Sequence, residues 1–90
     1  MASMNYEIKI TNRFKKDFES LKDEKLKIRM KKELETLKID PYPHKRLHGN
    51  LKGFFSLRIG KHRVVYTINE KNKQVLLYFL GHRKGIYDRY

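Results

Sequence analysis

The sequence predicts a small α+β domain: one N-terminal strand, an αα-hairpin and then a three-stranded antiparallel meander, with the helices packed on one face of the sheet. Three observations predict this fold. Apolar and polar residues alternate near the N-terminus, two later segments carry apolar residues at helical spacing, and three further segments have the pattern of short strands separated by turns. The chain has 90 residues, which is enough for one domain with one small core.

The first strand and the first helix are predicted from residues 5–21. Apolar residues alternate with polar ones over residues 5–10, as in a half-buried strand. Thr11 or Asn12 can then cap a helix by accepting a backbone N–H bond. The apolar stripe of this helix is formed by Phe14, Phe18 and Leu21. We interpret these three residues as core.

A second helix is predicted to follow, with Asp23 as its cap. It ends at Asp40, because Pro41 disfavours helical geometry at the residue before it. Its apolar stripe consists of Leu26, Met30, Leu34 and Leu37. Two helices joined by a short turn make the αα-hairpin.

The second half of the chain alternates between turn signals and strand patterns. Residues 41–53 contain both prolines and are predicted to be a loop. The three strands are predicted over residues 54–59, 62–68 and 74–80, with residues 81–90 as a polar tail. The last strand is nearly all apolar, which predicts a strand covered on both faces.

The positive charge of the chain is concentrated in its second half. Lys and Arg number 22 against 10 Asp and Glu, but residues 41–90 hold 11 of the basic residues and only two acidic ones, Glu70 and Asp88. Such a surface attracts polyanions, because each phosphate contact releases counterions. An acidic protein partner would satisfy the same charge, and charge alone also maintains solubility.

Several classes of function are disfavoured by what the sequence lacks. There are no cysteines, so disulfides and thiolate metal sites are excluded. We expect no cofactor, because one small core leaves no room for a deep, enclosed cofactor site. We expect no metal, because the second half is poor in acidic ligands. No apolar run is long enough for a membrane span, and the expected location is the cytoplasm. Residues 1–3 precede a second methionine, so we expect them to be an expression leader and residues 4–90 to form the domain.

The residues that could carry chemistry are cations and a tyrosine near strand ends. Arg58 and Arg63 flank a tight turn and can converge, Arg83 follows the last strand, and Tyr87 lies just beyond. Guanidinium groups are permanently charged and bidentate to phosphate. Arg63 and Arg83 are expected on a solvent-facing rim, so that alanine at either position would leave the fold intact. The wider RNA-binding surface is predicted to include Lys45, Arg46, Lys52, Lys61, His62, His82 and Lys84. From the residues alone, this is a nucleic-acid-binding domain.

Two stretches resemble the RelE/ParE toxin superfamily, and in particular its RelE branch. They are residues 47–66, LHGNLKGFFSLRIGKHRVVY, and residues 80–87, LGHRKGIY. The resemblance implies the same fold and a toxin of a type II toxin–antitoxin system, which cuts messenger RNA in the ribosomal A site without metal. It also implies a cognate antitoxin that is RelB-like, acidic and partly disordered when free.

The resemblance also implies roles for individual residues. Arg63 would stabilise charge on the scissile phosphate, Arg83 would do the same or supply the leaving-group proton, and Tyr87 would stack on or orient the nucleotide. The best-described members carry lysines at two positions of the strand, which here are Ser56 and Arg58. Either the general base lies elsewhere, with Lys61, His62 and His82 as candidates, or cleavage is slow and depends on positioning by the ribosome. Two alternatives stay open: a ParE-like inhibitor of DNA gyrase, and a non-catalytic module that binds RNA or the ribosome.

Overall fold

A computed structural model describes residues 5–82. The predicted leader, residues 1–3, and the candidate residues Arg83, Lys84 and Tyr87 lie outside this range. Within it, no helix is long and apolar enough to cross a membrane. The elements are β1 (Glu7–Ile10), α1 (Asn12–Glu19), α2 (Glu24–Thr36), β2 (Lys45–Arg46), a 3₁₀ helix (Gly49–Leu51), β3 (Phe54–Ile59), β4 (His62–Asn69) and β5 (Gln74–His82).

The five strands form one mixed sheet in the order β1-β5-β4-β3-β2. The two helices carry the chain from β1 to the opposite edge of the sheet, and the strands from β2 to β5 return antiparallel to one another. On its return β5 meets β1 in the parallel direction. The predicted α+β class, the αα-hairpin and the three-stranded meander are confirmed.

The core lies between the helices and one face of the sheet. Phe14, Met30 and Leu37 from the helical segments pack against Ile59, Val64, Leu77 and their neighbours on β3, β4 and β5. Both predicted helix caps are present: the hydroxyl of Thr11 accepts from the N–H of Phe14, and the carboxylate of Asp23 accepts from that of Leu26. These bonds satisfy backbone donors that a helix start leaves free.

Several boundaries differ from the prediction, among them the start of β1 at Glu7 and the end of β4 at Asn69. Helix α2 ends at Thr36 rather than Asp40, because the N–H groups of Leu37 and Lys38 bond three residues back and tighten the last turn. The predicted loop over residues 41–53 contains β2 and the 3₁₀ helix, which are too short to leave a pattern. Residues 81 and 82, assigned to the tail, instead complete β5 by pairing with β4.

A β-bulge in β5 interrupts its pairing with β4. Val65 pairs with Phe79 and Tyr66 pairs with Leu77, so Tyr78 is an extra residue in the ladder. The Phe79 ring is buried beside Val65 on the face away from the helices. The bulge places the Tyr78 ring on that face too, against Phe54, where it is 39% exposed. The prediction that this strand is covered on both faces is therefore wrong at Tyr78.

Candidate functional site

Two arginines face each other on the side of the sheet away from the helices. Strands β3 and β4 are joined by a two-residue turn, and Gly60 has a positive φ of 61° that suits a tight hairpin. The resulting register pairs Arg58 directly with Arg63. Side chains of paired residues point to the same face, and their Cα atoms lie about 4.5–5.5 Å apart. The register therefore places both arginines on one face of the sheet, where their side chains can converge as predicted.

Arg63 does not lie on a solvent-facing rim, and that prediction is wrong. Only 7% of Arg63 is exposed, because β4 is the central strand and is flanked on both sides. Its Nη1 donates a hydrogen bond to the hydroxyl of Ser56 at 3.1 Å. Ser56 is itself buried. Alternation along β3 puts Ser56 on the face of Arg58, and this spacing could have revealed it as the partner of Arg63.

The two cations of β2 lie on opposite faces of the sheet. Lys45 pairs with Ser56 and therefore shares the face of the two arginines. Arg46 pairs with Phe55, and its guanidinium lies 5.4 Å from the centre of that ring on the helix side. Of these two predicted RNA-binding residues, the register brings only Lys45 to the face of Arg58 and Arg63.

The remaining predicted cations lie at the two ends of β3. Lys61 is exposed in the hairpin turn, near the arginines. Lys52 is exposed just before β3 begins, at the end far from Arg58. A further cation, Arg29 of α2, also reaches this turn and was not predicted. Its Nη1 lies 3.8 Å from the position that a Cβ atom would occupy at Gly60. Its exposed position on a mixed-charge helix gave no signal.

The two histidines named as candidate bases form a pair. His62 and His82 are register partners on β4 and β5, and their ring centres are 5.8 Å apart. They alternate with Arg63 and Gly81, so they lie at the same end of the sheet but on its helix side. Burial, together with the nearby His82, lowers the pKa of His62 below its usual value. A neutral imidazole can accept a proton, as a general base must.

The acidic residue Glu70 is held just beyond the other end of β4. Glu70 accepts hydrogen bonds from the hydroxyls of Tyr6 and Tyr42, and from the Nζ of Lys73 at 2.6 Å. These bonds, that of Lys73 first, lower the pKa of Glu70 to about 2. The negative charge of Glu70 therefore lies at the end of β4 that is far from Arg63. Over residues 5–82, no three His, Asp or Glu side chains come together as metal ligands.

Comparison with known proteins gives a consistent result. Residues 8–87 match the family described as ParE toxin of type II toxin–antitoxin system, parDE. A candidate toxin called RelE1, from Methanocaldococcus jannaschii, is 33% identical over 89 residues, which cover 93% of this chain and 97% of the relative.

Two solved structures are similar over most of the chain. The toxin–antitoxin complex RelBE2 of Mycobacterium tuberculosis matches with a TM-score of 0.80 and 25% identity, covering 88% of this chain and 92% of that one. The archaeal RelE–RelB complex of Pyrococcus horikoshii matches with a TM-score of 0.75 and 26% identity, covering 88% and 96%.

Proposed function

Because the chain belongs to the RelE/ParE superfamily of toxins of type II toxin–antitoxin systems, we propose that it inhibits translation by cutting messenger RNA in the ribosomal A site without a metal ion. The observation that carries this proposal is the direct pairing of Arg58 with Arg63. Like charges opposite each other in a sheet are destabilising. A phosphate bound between the two guanidinium groups would turn this repulsion into attraction.

The chemistry in question is attack of a 2′-hydroxyl on the neighbouring phosphate. It needs a base for the hydroxyl, an acid for the leaving 5′ oxygen, and cations around the crowded phosphate. In our proposal Arg63 supplies a fixed charge, because burial and the bond to Ser56 hold its guanidinium in one orientation. Fixed charges cost no reorganisation as the transition state forms. Arg58, which is exposed, would close on the phosphate from the opposite side.

The proton transfers are assigned to residues at the same end of the sheet. The candidate bases are Lys61, which is exposed in the turn beside the arginines, and His62 and His82, which lie at the same end but on the helix side of the sheet. Following the family resemblance, we assign Arg83 to the leaving oxygen or the phosphate charge, and Tyr87 to the nucleotide itself. Strand β5 ends beside His62, and Arg83 is the next residue in the sequence.

We also propose a cognate antitoxin as protein partner. The similar proteins from M. tuberculosis and P. horikoshii were both solved in toxin–antitoxin complexes. The net charge of +12 fits an acidic, RelB-like antitoxin that is partly disordered when free. The proposed site of action is the ribosome, and therefore the cytoplasm.

The test is primer extension on a messenger RNA in a reconstituted translation reaction. Wild type, Arg58→Ala and Arg83→Ala are compared with Lys25→Ala, an exposed α2 residue outside the proposed site. We expect cuts at ribosome-positioned codons with the wild type and Lys25→Ala, and their loss in the other two variants. Stalled ribosomes without cuts would instead indicate a non-catalytic ribosome-binding module.

A second function is favoured by one observation, the match of residues 8–87 to the ParE toxins. ParE-like toxins act on DNA gyrase rather than on RNA. In cells that express the protein, replication damage that precedes any loss of protein synthesis would favour this reading. Inhibition of purified gyrase supercoiling, together with unaffected translation, would establish it.

A further inference from the structure

An aromatic groove lies on the same sheet face as the arginine pair, towards the other end of β3. It has a volume of about 470 Å³ and is lined by residues that include Thr11, Arg13, Asn50, Phe54, Tyr78 and Phe79. This volume lies within the range of small-molecule sites, about 300–1,000 Å³. None of the roles proposed above uses this groove.

The groove is built by the bulge in β5. The extra residue, Tyr78, turns its ring towards Phe54, and the two ring centres are 4.8 Å apart in an edge-to-face arrangement. Such a pair leaves an aromatic face of the exposed partner open to a third ring. The bulge is fixed by the start of α1, because the hydroxyl of Thr11 donates to the Tyr78 carbonyl and the N–H of Thr11 donates to the Leu77 carbonyl at 3.1 Å.

Polar and charged groups line the groove beside its aromatic surface. The guanidinium of Arg13 lies 5.1 Å from the centre of the Phe79 ring, so it places a positive charge at the groove. Asn50, which is exposed on the 3₁₀ helix, offers an amide that can both donate and accept hydrogen bonds. Aromatic faces, a cation and an amide together suit a planar, hydrogen-bonding ring attached to a phosphate.

We infer that this groove binds a nucleobase of single-stranded RNA, which stacks on Tyr78; the inference rests on the proposed function, since it needs RNA on this face. Phe54 and Arg58 are four residues apart on β3, a separation of about 13 Å. The base in the groove therefore belongs to a neighbouring nucleotide, while the phosphate between Arg58 and Arg63 is the one to be cut. Protein residues that stack on unpaired bases are the usual means by which single strands are recognised.

The groove fits RNA better than an apolar protein segment. The second half of the chain supplies 11 basic and 2 acidic residues, and Arg13 adds a cation at the groove itself. An apolar segment would bury the exposed Asn50 amide without a hydrogen bond, at a cost in desolvation. A nucleotide offers this amide donors and acceptors on its base edge, and its phosphate can contact Arg13, whose Nε lies 3.9 Å from the Asp17 carboxylate.

The experiment measures the affinity of two fluorescent probes by anisotropy. One is a short oligoadenylate with 2′-O-methyl groups, which cannot undergo 2′-hydroxyl attack; the other has the same backbone without bases. The variants are Tyr78→Ala, Tyr78→Leu and Tyr78→Phe. The matched control is Tyr42→Ala, which removes an equally exposed tyrosine that is bonded to Glu70 instead. Thermal unfolding verifies that each variant is folded, and Tyr78→Leu serves if Tyr78→Ala is not.

We expect Tyr78→Ala to weaken oligoadenylate binding by about 5- to 100-fold, the range for loss of one base-stacking contact. It should leave the abasic probe unchanged, and Tyr78→Phe should bind both probes like the wild type. An equal loss on both probes, or no loss on either, would overturn the inference. A Tyr78→Ala variant that binds RNA normally but binds the proposed antitoxin weakly would also overturn it, because the groove would then be a binding site for a protein.

The result is separable from the test of cleavage. Base-dependent binding without cuts in primer extension would uphold the stacking site and reject the endonuclease. Cuts that need Arg58 but are indifferent to Tyr78→Ala, with unchanged affinity for oligoadenylate, would uphold the endonuclease and reject the stacking site. A wild type that binds neither probe at low salt would overturn the stacking site directly.

Discussion

Replacing Arg58 by glutamine should make the free protein more stable while it removes the proposed activity. Arg58 lies directly opposite Arg63, and both are cations at neutral pH. Arg63 cannot move away, because it is buried and bonded to Ser56. Glutamine keeps much of the side chain's length and polarity but removes one of the two charges. The repulsion therefore disappears with little change in packing.

The size of the effect follows from the spacing of the two residues. Two unit charges repel by about 0.8 kcal/mol in water at a separation of about 5 Å, which is the spacing of the Cα atoms in such a pair, and by more where solvent is partly excluded. Cross-strand pairs contribute about 0.2–1 kcal/mol. Because Arg63 is buried, we expect the upper part of that range, a gain of about 0.5–1 kcal/mol. For a domain of this size, such a gain raises the melting temperature by about 2–8 °C.

The assay is thermal unfolding followed by circular dichroism, at low and at high salt. The control is Lys25→Gln, which lowers the net charge by the same amount at an exposed position of α2. High salt should reduce the difference in melting temperature between Arg58→Gln and wild type, because salt screens charge repulsion. A phosphate-bearing oligonucleotide should also reduce this difference in melting temperature, since the oligonucleotide stabilises the wild type by binding to it. A less stable Arg58→Gln, or an equal gain in Lys25→Gln, would refute the reasoning.

Four further outcomes are expected. Glu70→Gln should lower the melting temperature at neutral pH; because the folded pKa of Glu70, about 2, lies below its ordinary 4.5, this difference should fade as pH falls from about 4.5 to 2 in unfolding measurements. The NMR titration of the His62 ring should give a pKa below 6.5, and an ordinary value would contradict its burial. Arg63→Ala should lower the free energy of unfolding, measured in urea, by about 1–3 kcal/mol. A variant as stable as the wild type would show that the buried Arg63 contributes nothing to stability. The slope of log affinity for single-stranded RNA against log salt should shrink by about 0.7 in Arg58→Gln but not in Arg46→Gln, and equal slopes would contradict the opposite placement of these arginines.

The elements of the fold were predictable where their patterns were long. Alternation identified the strands, and the caps at Thr11 and Asp23 marked the starts of both helices. The pairing of Arg58 with Arg63 was also accessible, because a two-residue turn fixes the register on either side of it. These are local rules, in which each residue depends on near neighbours in sequence.

What could not be predicted depends on contacts between distant segments. The burial of Arg63 results from the central position of β4 between β3 and β5, which no local pattern encodes. The bulge at Tyr78 is held by Thr11, a residue 67 positions away. The opposite faces of Lys45 and Arg46 follow from the pairing of a strand only two residues long. The early end of α2 is an exception, because it is set by local bonds from Leu37 and Lys38 to carbonyls three residues back.

The separation of charge along β4 explains how one small sheet can serve both stability and the proposed binding of RNA. At one end, Glu70 links two tyrosines and Lys73, so its negative charge contributes to the fold. At the other end, Arg58 and Arg63 are kept close together against their mutual repulsion. A carboxylate between these arginines would stabilise the free protein, but it would occupy the place that a phosphate has to take. The arginine pair therefore lowers the stability of the free protein, and the same lack of a neutralising carboxylate leaves the site open to an anionic ligand.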